Sequence, residues 1–291
     1  WHVVNKRNWG IDLSGNINFN RNKIIQLGIK DYYNDTHWAS SEIDPEYVVA
    51  VGGRVGEIVG YQNAGRYEVS DFTGYNASTD KWTLKDGVDD ATAIIGKLRP
   101  GALKLKDQDG DHKVTASDKV KIGDVTPDCF GGFNINARVY NFDLSAQFNY
   151  SIGNQEYNAN KIEYTTTGKY IYRNMIDVMK EGKRWTNLDP ETGLLSNDPD
   201  RLAKLNEHTT MWSPYMSKMV LTDWAIEDAS FLRLNTLTIG YTLPNHLTHR
   251  IGINSLRVYC TGYNLFTITG YSGFDPEADT FRKTALTPNV D

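Results

Sequence analysis

The sequence predicts an all-β chain: long antiparallel strands of the kind that wall a transmembrane β-barrel, with long extracellular loops. Three observations predict it. Several segments alternate apolar and polar residues without a break, the period-two signature of strands with two different faces. Those segments run near ten residues, beyond the usual ~5–6 of globular strands and matched to the ~9–11 that cross a bilayer. Connections are asymmetric, a near-zero turn at Asn141 contrasting with an irregular stretch from Gly153 to Asp223, as expected when short turns face one side of a membrane and functional loops the other.

Composition narrows the function. Among 291 residues there are 17 Tyr, 10 Phe, 7 Trp and 25 Gly, which favours strands over helices. The formal net charge is −5 with acids and bases dispersed, so no basic stripe exists for a polyanion and no nucleic-acid partner is expected. Cys129 and Cys260 belong to no C-x-x-C pair, so neither a disulfide framework nor a zinc site follows. No apolar run reaches the ~18 residues of a membrane helix, a criterion that says nothing of barrel strands. The chain opens at Trp1 with neither initiator Met nor signal peptide, and a fragment of something longer is expected.

Taken in order, Trp9–Asn20 puts Ile11, Leu13, Ile17 and Phe19 on one face and Asp12, Ser14, Asn16 and Asn18 on the other. Residues 21–45 read as loop with a short helix. Strands are expected at 54–60 and 66–72, joined tightly through Gln62–Gly65, then a polar insertion from Thr73 to Asp90. The clearest hairpin runs from Gly131 to Tyr150: Phe133, Ile135, Ala137 and Val139 share a face, as do Phe142, Leu144, Ala146 and Phe148. After it, a helix-like patch spans 170–180. Two long strands close the chain, Ser230–Pro244 and Leu256–Asn264, the first ended by a Pro that donates no ladder hydrogen bond, and the rest to Asp291 turns loop-like.

One stretch has metal-grade chemistry, Asp107-Gln108-Asp109-Gly110-Asp111-His112-Lys113-Val114-Thr115-Ala116-Ser117-Asp118. Carboxylates at relative positions one, three, five and twelve approach a calcium loop, in which several oxygens converge on a hard cation. It departs from that pattern with Gly110 at four, His112 at six and the short Asp118 at twelve. Leu103–Lys106 alternates like a strand and Val120–Asp124 is too short for a flanking helix, which argues against a calcium switch. Bound Ca2+ as a static clip, with ligands from Asp107, Asp109, Asp111, the Lys113 carbonyl and Asp118, stands beside the alternative of an Asp/Gly-rich turn that satisfies its own backbone.

Other candidates are weaker. Trp185, Trp212 and Tyr215 are the right residues to stack on sugar rings, and equally the right ones for loop packing or an interfacial girdle. His246-x-x-His249 brings no third ligand. Asp89, Asp90, Asp189 and Glu191 are acidic, but nothing sets the separation glycoside hydrolysis needs. With no H-E-x-x-H, G-x-S-x-G or P-loop motif, no enzyme is expected.

A set of words then points to one family. Ala229-Ser230-Phe231-Leu232-Arg233-Leu234, Thr238-Ile239-Gly240-Tyr241-Thr242-Leu243-Pro244, Leu256-Arg257-Val258-Tyr259, Asn264-Leu265-Phe266 and Tyr271-Ser272-Gly273-Phe274-Asp275-Pro276-Glu277 resemble the C-terminal part of the SusC/RagA family of TonB-dependent outer-membrane transporters of Bacteroidetes. Gly60–Gly65, Pro100–Lys104, Ile122–Asp124 and Gly132-Phe133 extend the resemblance over most of the chain. It implies that residues 1–291 are the later strands of a plugged barrel of about 22 strands, the plug and earlier strands lying elsewhere. It further implies an integral outer-membrane importer of oligosaccharides or peptides, with surface-exposed loops, a SusD-like lipoprotein lid, and TonB engaged through an N-terminal part outside this chain. In this family context the Asp107–Asp118 loop is expected to clip the Leu103 region to the strand entered near Phe130. The alternative from another class is a secreted, calcium-clipped β-rich carbohydrate-binding module, distinguished by its independence of detergent.

Overall fold

In a computed structural model of the chain, residues 1–29, 31–35, 43, 46–167, 172–216 and 218–278 are described. The alternating segments form a six-stranded sheet whose order is His2–Asn5, Trp9–Asn18, Cys129–Val139, Phe142–Ile152, Phe231–Thr242 and Arg257–Thr269. Every pairing is antiparallel. The four longest strands run 11 to 13 residues, so the sequence-based lengths hold, and the last extends past Asn264 to Thr269. A bulge explains that extension. The register slips between Leu234 and Thr236, opposite Phe266 and Tyr263, and Asn264 within the slip takes φ 48°, so pairing resumes beyond it.

The central hairpin turns through Tyr140 and Asn141 alone. Tyr140 takes φ 51°, a left-handed conformation that hairpin turns ordinarily assign to Gly or Asn. Backbone and side-chain hydrogen bonds hold it: Tyr140 N–H donates to Asn8 O at 2.6 Å, and Asn141 Nδ2 to Thr242 O at 2.9 Å. Connections at this end of the sheet are residues 6–8, 140–141 and 243–256, while those at the other end are residues 19–128 and 153–230. The sheet belongs to one of two compact units, formed by residues 1–22, 126–155 and 228–277.

The second unit comprises residues 23–125, 156–227 and 278–291. Its four-stranded sheet has the order Val120–Asp124, Glu57–Gly60, Tyr47–Ala50 and Tyr32–Asp35. Two apolar clusters pack it, one around Tyr67, Leu103, Leu105, Val114 and Met179, the other around Tyr47, Ile58, Tyr157 and Ala225. The local hairpin expected across Gln62–Gly65 does not form. Glu57–Gly60 pairs with residues 120–124 and 47–50, Asn63–Arg66 pairs with Leu103–Leu105, and residues 69–71 wind into a 3-10 turn before the strand Phe72–Asn76. The polar insertion holds a further strand, Lys81–Leu84, paired with Phe72–Asn76.

Two helix expectations also fall differently. Tyr170 lies outside the described residues, and from 172 to 180 only Asp177–Met179 winds, because Met175 and Ile176 pack against the core as extended chain. The helix expected within 21–45 is not seen among the described residues there, which contain the strand Tyr32–Asp35; positions 30, 36–42, 44 and 45, like residues 279–291, lie outside them. Among the described residues no helix is long and apolar enough to cross a membrane.

Candidate functional site

The acidic loop is curled by its own carboxylates. Asp107 Oδ1 accepts the backbone N–H groups of Asp109 at 3.1 Å and Gly110 at 3.0 Å, and its Oδ2 accepts that of His112 at 2.8 Å. Asp109 repeats the arrangement with Asp111 N–H at 3.2 Å, and Asp111 with Lys113 N–H at 2.7 Å. Asp118, fully buried, closes the loop by accepting Gln108 N–H at 2.8 Å and Thr115 N–H at 2.7 Å. Burial acts to raise the Asp107 carboxyl, but the donors from His112, Gly110 and Asp109 outweigh it and hold the group below the usual carboxylate range.

The geometry divides the expected ligand set. One oxygen from each of Asp107, Asp109 and Asp118 lies within 4.8 Å of the others. Calcium–oxygen bonds of about 2.3–2.6 Å place two ligands of one ion up to ~5 Å apart, so this trio fits a single Ca2+. Asp111 is not one of the trio; its Oδ1 accepts the Lys113 N–H described above. At position six His112 takes φ 59°, the left-handed conformation that Gly adopts without steric cost. Its ring reaches Asp89, Nδ1 to Oδ1 at 2.9 Å, and that hydrogen bond raises the imidazole pKa.

Asp89 is thus part of the site, and sequence spacing missed it because it lies 18 residues before Asp107. Its only signal was the acidic pair Asp89-Asp90. The loop is tied to this segment, with Asp90 N–H donating to His112 O and Val114 N–H to Asp90 O, each at 2.9 Å. The expected partner near Phe130 is replaced: the Leu103 strand pairs with Asn63–Arg66, and Phe130 pairs with Asn18 and Ser151.

The three aromatic candidates separate. Trp185 is 2% exposed, its ring under the Arg66 guanidinium at 4.8 Å and its Nε1 donating to Asn187 Oδ1 at 3.0 Å. Trp212 is buried edge-on to Trp224, with centroids 5.0 Å apart. Neither ring offers a free face to a sugar, because both fill the core of a loop-rich unit. Tyr215 is 70% exposed. The acidic pair Asp189 and Glu191 is likewise structural, clamped by Arg201 at 2.6 and 3.0 Å.

Register gives the long sheet its chemistry. Residues opposite one another line up in rungs across five strands: Trp9, Val139, Phe142, Tyr241, Val258; then Leu13, Ile135, Ala146, Leu237, Gly262; then Gly15, Phe133, Phe148, Leu234, Phe266. Phe133 stacks on Phe148 with centroids 4.6 Å apart, and Phe148 meets Phe266 at 6.5 Å. This apolar face is uncovered within its unit, with Phe142, Ile239, Val258 and Ile268 each half exposed or more. The opposite face carries Asp12, Asn136, Ser145, Thr238, Thr261 and Ser14, Asn134, Gln147, Thr236, Tyr263. There the side chains bond across strands, Ser145 to Asn136 at 2.7 Å and Thr238 to Thr261 at 3.0 Å.

No protein-family model matches the chain. TonB-dependent receptor P3 of Formosa agariphila is 26% identical over 268 residues, covering 91% of this chain and 23% of that protein. TonB-dependent receptor SusC of Bacteroides thetaiotaomicron is 25% identical over 272 residues, 91% of this chain and 22% of SusC. This chain is similar in sequence to TonB-dependent receptors. It spans roughly a quarter of the length of these relatives. A solved structure of the RagAB peptide transporter matches all of the chain and 26% of its own, with a TM-score of 0.64 at 22% identity, a likeness of fold. These relatives are receptors and a transporter rather than enzymes. The receptor-like words of the sequence fall at definite places: Ser230–Leu234 and Thr238–Leu243 span the Phe231–Thr242 strand, Asn264 is the bulge, and Tyr271–Glu277 follows the last strand.

Proposed function

We propose that this chain forms the C-terminal part of the barrel wall of an outer-membrane, TonB-dependent nutrient importer, its apolar face against lipid and its polar face lining the passage. The observation that carries the reading is the two-faced ladder. An uncovered apolar sheet face of this extent is costly in water, whereas a closed barrel places it in hydrocarbon and leaves no strand edge unpaired. From Trp9 to Ile17 the strand advances about 27 Å, roughly 19 Å along the membrane normal at a ~45° tilt, about three quarters of the ~25 Å apolar band of such barrels.

In this reading the cargo is an oligosaccharide or a peptide, captured beneath a SusD-like lipoprotein lid, and TonB supplies energy through a part of the receptor outside this chain. The relatedness to SusC and the likeness to RagAB support it. Asp107, Asp109 and Asp118 hold one Ca2+ as a structural clip that ties the loop to the Asp89–Asp90 segment. The secreted carbohydrate-binding module loses support because Trp185 and Trp212 are buried. Fractionation tests the location: the protein is expected in the detergent-requiring outer-membrane fraction. Deletion of its gene is expected to abolish uptake of one glycan or peptide class, and growth unchanged on every candidate, in a strain without a paralogue, sinks the importer reading.

A further inference from the structure

The connection between the last two strands of the six-stranded sheet is wound and closed, yet its apolar residues are uncovered. Leu243 N–H donates to Leu256 O at 2.9 Å, which adds a rung to the apolar face beyond Tyr241 and Val258. Between those leucines, Asn245–Thr248 forms one helical turn and His249–Ile251 a 3-10 turn. Pro244 starts the winding at φ −58° and Gly252 stops it at φ 75°, a left-handed stop that Gly takes without steric cost. Leu247 N–H donates to Pro244 O at 2.9 Å and Ile253 N–H to Thr248 O at 3.1 Å, and Thr248 is buried. On this ordered backbone Leu247 is 45% exposed, Ile251 67% and Ile253 38%.

Charge on the connection has one sign. No Asp or Glu occurs between Asp228 and Asp275. Of the three arginines in that stretch, Arg233 is engaged by Asp275 and Glu277, and Arg257 donates to Asp143 from Nε at 3.0 Å and from Nη2 at 2.5 Å. The third is Arg250. With His246 and His249 it stands at i+4, i and i+3, so the three share one face of the winding, and Leu247 and Ile251 lie beside them four residues apart. Among the described residues none of these three polar side chains makes a hydrogen bond or ion pair, and all three are exposed.

We propose that residues 244–256 form an interfacial anchor, in which Arg250, His246 and His249 bind the phosphate of anionic phospholipid headgroups while Leu247, Ile251 and Ile253 enter the acyl boundary. The proposal rests on the assignment of the apolar sheet face to lipid. Continuity with that face supports it: the same end of the sheet carries the terminal rung Trp9, Val139, Phe142, Tyr241 and Val258 and the exposed Tyr140, an aromatic border of the kind that meets headgroups. Uncovered aliphatic side chains beside cations are the composition of a segment lying in that interface. A guanidinium offers a phosphate two parallel N–H···O bonds, and an anionic surface attracts it where a zwitterionic one does not. In water the same aliphatic residues would stay solvated and Arg250 would have no anion to meet.

The test uses the intact receptor with its cysteines replaced and one environment-sensitive fluorophore at Ile251→Cys or, separately, at Ile239→Cys on the apolar sheet face. It is reconstituted in equimolar phosphatidylcholine and phosphatidylglycerol, with bromine quenchers near the headgroup end of the acyl chains of one lipid or the other. Both labels should be quenched. At 251 brominated phosphatidylglycerol should quench more than brominated phosphatidylcholine, which measures local enrichment of the anionic lipid. Arg250→Gln should lower that enrichment roughly fivefold, the effect of one arginine at an anionic surface, and Arg250→Lys should keep it. A label at 251 that escapes quenching while the one at 239 is quenched overturns the anchor and leaves the wall reading standing. If neither is quenched, the wall reading falls and the anchor with it. Equal quenching by the two lipids at 251, or enrichment unchanged in Arg250→Gln, overturns the headgroup site.

Discussion

Charging the apolar face separates a membrane wall from a sheet in water. Leu237 lies in the middle rung, flanked by Ala146 and Gly262, and Val258 lies in the terminal rung beside Tyr241. The two rungs are four residues apart along a strand, about 14 Å, or roughly 10 Å along the membrane normal at a ~45° tilt. Arg on the lipid face costs about 2–4 kcal/mol at the bilayer midplane and only about 0–1 near the interface. Leu237→Arg should therefore shift the folding equilibrium in bilayers by about 30- to 700-fold, Val258→Arg by less than about tenfold, and Thr236→Arg on the polar face by little. For a water-exposed sheet all three would stay within about 0.5 kcal/mol. The assay is equilibrium folding of the intact receptor into phospholipid vesicles, read by tryptophan emission and by heat-modifiable gel mobility. Equal costs at Leu237 and Val258 would refute the assignment of this face to lipid.

Three further outcomes follow from the second unit. Calcium should raise the thermal midpoint of the receptor and chelation should lower it, with Asp107→Asn and Asp118→Asn abolishing the difference; calorimetry showing no calcium effect in the parent removes the ion from the loop. Gly101→Ala should cost about 2–4 kcal/mol, because Gly101 takes φ 84° and a Cβ there would lie 2.2 Å from Trp185 Cδ1; limited proteolysis should find the second unit opened. Asp189 is held below its ordinary pKa first by the Arg201 hydrogen bond and then by the Glu191 N–H. Its contribution is complete above the ordinary aspartate range and is lost as pH falls through the depressed value, so hydrogen exchange of residues 187–196 should rise in acid, and Asp189→Asn should remove that pH dependence.

Much of the long sheet was legible because strand faces follow from a period of two. Phe133-x-Ile135-x-Ala137-x-Val139 and Phe142-x-Leu144-x-Ala146-x-Phe148 needed no partner to declare their faces, and the two-residue turn between them left one register open. The same rule failed at 54–72, where short strands carry too few residues to specify a partner and long-range pairing with 120–124 and 103–105 won. Within the acidic loop, the sequence showed the curl, since Asp107, Asp109 and Asp111 each accept N–H groups two to five positions ahead, a local interaction. It did not show that Asp89 joins the site through His112.

Trp185 and Trp212 illustrate the same limit: an aromatic in a polar loop reads alike whether it faces solvent or a core, until the fold supplies Arg66 and Trp224 as neighbours. By itself, then, the sequence determined the two-faced strands, the asymmetry of their connections and the self-curled acidic loop, all products of chain neighbours. Only the tertiary structure decided which residues share a rung, what ties the loop down and that Arg233 meets Asp275 and Glu277. Those depend on contacts between residues far apart in the chain, as between Trp9 and Val139, for which local periodicity carries no information.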